Sequence, residues 1–149
     1  MASRRKGRIL AFQALYFWES SPRPGAPVEE LVSFGWLEED KLNTLDEKTA
    51  CFSRLLIAGA IENIEKIDNK IKAHLENWDI SRLNRVDLAV LRMSVYSLMF
   101  QSEISPSIVI DEAIGICKEF GTDDSYKFIN GVLDSIRKTL QEQVQEQKP

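Results

Sequence analysis

The run from Ile9 to Trp18 constrains the fold more than any other stretch of this chain. Wound as a helix, it is apolar on nearly every face, and only Gln13 interrupts it. A helix of that kind must be covered all round. It sits inside a bundle, enters a membrane, or packs on its own domain and on a partner at once. Four cations, Arg4, Arg5, Lys6 and Arg8, precede it with no acid among them. The whole chain carries a formal charge of −4, so with these four set aside the rest carries −8. A concentrated basic end on an acidic body points to an anionic partner, and nucleic acid is the usual one because phosphate contacts supply most of its binding free energy. Arginine suits this work, since its planar fork grips a phosphate with two hydrogen bonds.

A basic start before an apolar run also imitates a secretory signal peptide. Against that, Gln13 interrupts the run, Tyr16, Phe17 and Trp18 end it, and no Ala-x-Ala follows; the next residues are Ser20, Ser21, Pro22, Arg23, Pro24 and Gly25. No other segment approaches the ~20 apolar residues needed to span a bilayer. The expectation is a cytoplasmic protein without a membrane partner. At 149 residues, 44% hydrophobic and 28% charged, the chain has the size and composition of one soluble domain with a core of its own. Cys51 and Cys117 are too few for a disulfide scaffold and lie in apolar helical patterns, so both read as buried thiols. One histidine, His74, and two cysteines without partner spacing give no zinc site, and no metal or other cofactor is expected.

Period-two alternation is absent and the 3.6-residue period recurs throughout, which predicts an all-α bundle of about seven helices. The first spans about Arg4 to Glu19 and stops before Pro22 and Pro24. A short helix from about Val28 to Phe34 ends at Gly35, and residues 36–43 form another turn or two. From Asp46, the positions Phe52, Leu55, Leu56, Ala60, Ile61, Ile64, Ile67, Ile71, Leu75 and Trp78 predict a single helix of up to about thirty residues, long enough to bridge two halves of a fold. Leu83 to Phe100 is the next. Ser105 caps a helix that opens with Pro106 and ends at Phe120, with Gly121 as a left-handed stop. Thr122 or Asp123 caps the last helix, in which Gly131 marks a close helix contact. Residues 141–149 read as a frayed tail. A weak boundary near Thr44 subdivides the single domain spanning residues 1–149.

Convergent reactive groups of the kind an enzyme needs are not apparent. His74 sits at the edge of an apolar stripe with no evident nucleophile beside it. Asp111 and Glu112, near Asp87, are explained as solvated faces and first-turn acids. The seven glycines are scattered and make no phosphate-binding loop. The cysteines lack a basic neighbourhood that would make a reactive thiolate. The expectation is a protein without catalysis.

Four segments together resemble one family. Arg4-Arg5-Lys6-Gly7-Arg8 through Gln13-Ala14-Leu15-Tyr16 is similar to the amino terminus of the NusB transcription antitermination factors. Arg85 to Tyr96 resembles their central helix, and Val109-Ile110-Asp111-Glu112-Ala113-Ile114 resembles the next. Phe120-Gly121-Thr122-Asp123-Asp124-Ser125-Tyr126-Lys127-Phe128-Ile129-Asn130-Gly131-Val132-Leu133-Asp134 matches the carboxy-terminal signature almost without a gap. The similarity covers the chain apart from about residues 20–45. It implies two packed helical subdomains and no catalysis. It also implies binding of boxA, a short single-stranded RNA element of ribosomal RNA leaders, together with NusE, a small-subunit ribosomal protein, in a complex that joins RNA polymerase. Some relatives form homodimers, which is another way to cover the first helix.

Carried over by position, the resemblance places Arg4, Arg5, Lys6 and Arg8 on the RNA side, with Gln13 nearby, and adds Phe120, Asp124, Lys127 and Phe128 from the carboxy-terminal signature. Aromatic rings stack on unpaired bases and a carboxylate accepts from a base edge. Asp124 reads equally as an acid of the first helical turn, and Phe128 as a core aromatic. Tyr16, Asp87 and, by extension, Trp18 fall on the partner side, although Tyr16 is also an ordinary core aromatic and Asp87 an acid beside Arg85. Two departures stand out. Tyr126 replaces a histidine common in the family, and Gly7 weakens the first turn by roughly 1 kcal/mol relative to alanine, which predicts a segment that orders on RNA. A protein-interaction module and a detached piece of an RNA methyltransferase are the competing readings.

Overall fold

The structure, a computed structural model, describes residues 3–21, 28–76 and 79–146. Among them the chain forms eight α-helices and no strand. They are α1 (Arg4–Ser20), α2 (Val28–Val32), α3 (Glu39–Asn43), α4 (Glu47–Glu62), α5 (Ile64–Ala73), α6 (Arg85–Phe100), α7 (Pro106–Phe120) and α8 (Ser125–Glu146), with one 3₁₀ turn at Ile80–Arg82. The all-α expectation holds, with one helix more than the periodicity suggested.

Helix α6 is the axis of the molecule. It is buried without a break from Asp87 to Ser97 and packs against α1, α4, α5, α7 and α8. Helix α1 lies between α4 and α6, which is how the apolar run finds cover from its own chain. Leu10, Ala11, Phe12, Ala14, Leu15 and Trp18 are all buried in one hydrophobic cluster. Burying a side chain such as Leu15 or Phe12 contributes ~1.5–3 kcal/mol. Several of them outweigh the propensity lost at Gly7, and α1 is helical from Arg4. Gly7 also has a packing role. A methyl group there would stand 2.8 Å from Phe52 Cδ2 and 3.3 Å from the Thr49 carbonyl oxygen, so glycine lets α1 approach α4.

Several local expectations are corrected. The thirty-residue helix is two helices, divided at Asn63. Its side-chain amide donates to the Gly59 carbonyl at 2.9 Å while its own carbonyl starts α5, the usual way an asparagine competes with the helical ladder. Trp78, at the end of that predicted helix, lies outside the described residues, as do Pro22 and Pro24. Gly121 ends α7 in an extended conformation (φ −95°, ψ −172°), not a left-handed one. A Cβ there would stand 2.8 Å from the Cys117 carbonyl oxygen, so space decides the residue. The left-handed residue is Phe34 (φ 59°), which leaves α2 shorter than expected and carries a fully buried ring. Gly131 faces open space and makes no close helix contact. Ser105 precedes Pro106 as expected, but its hydroxyl pairs with Ser107 instead of capping α7. Cys117 is buried, whereas Cys51 is exposed on α4. Helix α8 continues to Glu146, through the first residues of the predicted tail.

Candidate nucleic-acid interface

The basic segment is the first two turns of α1, and two caps hold it. The Ser3 hydroxyl accepts from the Lys6 amide at 3.1 Å, and the Ser3 amide donates to Thr49 Oγ1 at 2.8 Å. Thr49 is itself fixed by Asp46, the cap of α4, so the starts of both helices are tied together. The four cations then divide. The Arg4 guanidinium lies over the Phe52 ring at 4.2 Å, exposed to solvent. Lys6 is exposed. Arg5 reaches α7 and pairs with Glu112, Nε to Oε2 at 2.5 Å. Arg8 is only 5% exposed, with its guanidinium 5.2 Å from the centre of the same Phe52 ring. Burial lowers its pKa, the Glu112 charge works the other way, and Arg4 and Arg5 add to the lowering. Arg8 is therefore a support of the basic edge; Arg4, Arg5 and Lys6 are its outward charges.

One turn further along α1, the Phe12 and Phe120 rings meet at 5.1 Å, which brings the end of α7 beside α1. Phe12 is buried and Phe120 is 36% exposed. Together with Gln13, Tyr16, Phe17, Trp36 and Val86 they line a groove of about 390 Å³. Gln13 and Tyr16 are half-buried with surface on that groove. Trp18 does not extend it. Its side chain turns inward, 8% exposed, beneath the Arg92 guanidinium at 5.4 Å, because α1 presents residue 18 to α6.

Beside this groove the starts of α6 and α8 converge on a second recess of about 300 Å³, lined by Arg82, Leu83, Asn84, Asp87, Thr122, Asp124, Ser125 and Phe128. Asn84 and Asp87 form a reciprocal cap: the Asp87 amide donates to Asn84 Oδ1 at 2.8 Å, and Asn84 Nδ2 donates to Asp87 Oδ2 at 3.1 Å. Asp87 is buried, so it is not the solvated acid that its position beside Arg85 suggested. Burial pushes its carboxyl above the usual range, and Ser125 and Asn84 hold part of that rise back. Asp124 is exposed at the rim, and Phe128 is half-buried with its ring packed against the core. Lys127 and Lys118 converge on Tyr126, 5.9 and 4.9 Å from its ring centre, so the two lysines share one patch. Val86 lines the groove and Asp87 the recess, which makes the two neighbours on one side of the molecule.

Sequence reasoning did not find Phe52 or Glu112 as members of this edge, nor Trp36 as a wall of the groove. Phe52 read as one more core position, and Glu112 as a first-turn acid. Among the described residues no three His, Cys, Asp or Glu side chains stand together as a metal site, and no helix is long and apolar enough to cross a membrane.

The fold and this surface define an all-helical module with a basic edge, an aromatic groove and a mixed-charge recess, a layout suited to a flexible polyanion. The chain belongs to the NusB family, whose sequence profile matches residues 5–138. It is 53% identical over 134 residues to the transcription antitermination protein NusB of Treponema denticola, covering 90% of this chain and 95% of that one. The corresponding protein of Geobacter sulfurreducens is 42% identical over 140 residues, with 94% and 97% coverage. The solved structure of T. maritima NusB superposes with a TM-score of 0.81 at 39% identity, covering 93% of each chain. A solved complex of the antitermination factors NusB and NusE with double-stranded RNA contains a chain that superposes with a TM-score of 0.76 at 30% identity, covering 91% of this chain and 96% of that one.

Proposed function

We propose that this protein is a cytoplasmic, non-catalytic transcription antitermination factor that binds boxA-type single-stranded RNA together with NusE and so helps load an antitermination complex onto RNA polymerase. The observation that carries this reading is the arrangement on one side of the molecule. Three exposed cations of α1 lead into a groove with the half-exposed Phe120 at its edge, and the Asp124–Lys127–Phe128 cluster lies next to it. Cations for the backbone beside rings for the bases is the division of labour that single-stranded RNA recognition uses. Tyr16 and Phe17, on the far wall of the groove, offer apolar surface to the protein partner. Asp87 serves that partner face indirectly, by fixing the start of α6 against the start of α8.

Fluorescence anisotropy with labelled boxA RNA and a scrambled control, with and without NusE, tests the proposal. Three phosphate contacts from Arg4, Arg5 and Lys6 give a log–log salt slope of about −2. Preference for boxA that sharpens with NusE is the expected result. Equal, feeble binding of both RNAs with a flat salt dependence refutes the reading and leaves a protein-interaction module in its place.

A further inference from the structure

Arg5 is open to solvent and yet engaged on two sides. Its side chain keeps 43% of its surface, while its Nε stands 2.5 Å from Glu112 Oε2 on α7. The head of the guanidinium is turned onto Gly115, one turn further along that helix. A methyl group on Gly115 would lie nearest to Arg5 Nη2, 2.6 Å from Nη1 and 2.9 Å from Cζ. Both Nη atoms are therefore closer to the helix than Cζ is, and the Nη1–Nη2 edge fills the place a side chain would take. That is an edge with which a guanidinium can grip a phosphate by two hydrogen bonds, and here it faces inward. Residues three apart share a helix face, so Glu112 and Gly115 form one seat. Glu112 needs the arginine in return. Its Oε2 is buried and accepts no hydrogen bond among the described residues, so the Arg5 charge, with Arg8 nearby, is what offsets its burial. Arg4 and Lys6 stand in no ion pair among the described residues.

We propose that Glu112 and Gly115 form a seat on α7 that withholds Arg5 from single-stranded RNA, so that a backbone phosphate gains this arginine only by displacing Glu112; the inference rests on the RNA-binding reading above. A carboxylate oxygen left buried with neither a hydrogen bond nor a counter-charge is costly. Undocking Arg5 therefore offsets most of what its phosphate contact contributes, whereas Arg4 and Lys6 meet RNA without that cost. Glu112 in this account sets the affinity of the basic edge without touching RNA itself. The alternative is a plain brace between α1 and α7, in which the pair has no bearing on RNA affinity.

The test is a set of double-mutant cycles on boxA RNA binding by the full chain with NusE, read by fluorescence anisotropy. R5A alone should weaken binding only about twofold, because the docked arginine contributes little. E112Q should tighten binding about fivefold, and in that background R5A should cost about tenfold, the scale of one charge-assisted contact. G115A fills the seat without changing any charge, and should tighten binding about two- to threefold in the same Arg5-dependent way. Both single variants are expected to gain affinity, which a loss of fold does not imitate. No gain from E112Q overturns the seat. A fivefold gain that persists in the R5A background also overturns it, since removing a negative charge near RNA then accounts for the whole effect. In either case the RNA-binding reading stands if the charge reversals R4E and K6E together abolish binding. If R4E/K6E binds boxA as the parent does, that reading falls, and the seat falls with it.

Discussion

Replacing Arg92 with methionine removes one guanidinium that three helices share. Arg92 stands in the middle of α6 with its side chain 6% exposed. Its Nε and Nη2 donate to the two oxygens of Asp68 on α5, at 3.0 and 2.9 Å, and its Nη1 donates to Glu19 on α1 at 2.8 Å. Burial works against the charge, and the two carboxylates more than offset it, so the group is held above its usual pKa. Breaking a fully buried pair costs about 3–5 kcal/mol because the partner is left charged and dry. Here Asp68 and Glu19 keep 20% and 28% of their side-chain surface, and water reaches them once the arginine is gone. That exposure discounts the cost to about 2–3 kcal/mol. Methionine retains the apolar stem beside Trp18, so packing contributes little to the loss. Urea unfolding followed by far-UV circular dichroism should show a lower midpoint with an unchanged slope. Thermal melts should fall by about 5–10 °C for a chain of this size. Adding D68N removes the carboxylate charge that Arg92 held with two hydrogen bonds and should recover part of the loss. An R92M protein as stable as the parent, or an R92M/D68N variant no better than R92M, refutes the claim that this network ties α1 and α5 to α6.

Three further outcomes follow from the same geometry. G7A pushes Phe52 away from α1. Overpacking costs about 1–3 kcal/mol and alanine returns about 1, so a net loss of about 1 kcal/mol in urea unfolding is expected, with weaker RNA binding as the ring under Arg4 shifts. His74, whose Nδ1 meets the Ser135 hydroxyl at 2.7 Å, has its pKa lowered from 6.5 first by burial and then by Lys70. Its contribution is therefore present above the unfolded pKa and lost as pH falls through the lower, folded value, and H74Q should flatten the difference in stability between about pH 8 and pH 5. Maleimide should label Cys51 in the native protein and spare Cys117, whose thiol burial and the Asp87 charge push up to about 12; rapid native labelling of Cys117 would contradict that burial.

Much of the fold was legible because its signals are local. The limits of α7 came out at Pro106 and Phe120, since a proline suited to the first turn and a glycine after the last apolar position mark a helix without reference to anything else. The start of α1, the end of α6 at Phe100 and the body of α8 followed from the same periodicity. The division at Asn63 was hidden because the apolar spacing runs on through it, while the break depends on one side-chain amide reaching back to Gly59.

The sequence by itself determined that the chain is helical, that α1 must be enclosed, that a basic segment opens it, and to which family it is similar. Composition and a period of 3.6 residues carry all of that. Only the tertiary structure decided which cations face water and which acids answer them. Arg4 and Arg8 lie one turn apart and read as one basic face, yet Phe52 of α4 leaves the first outside and the second inside. Trp18 reads as an extension of the partner face, yet α6 takes it into the core. Glu112 reads as an unremarkable helix acid, yet it stands against Arg5, more than a hundred residues earlier in the chain. A helical wheel shows which residues share a face, and the partner across from that face is set by packing between segments far apart in sequence.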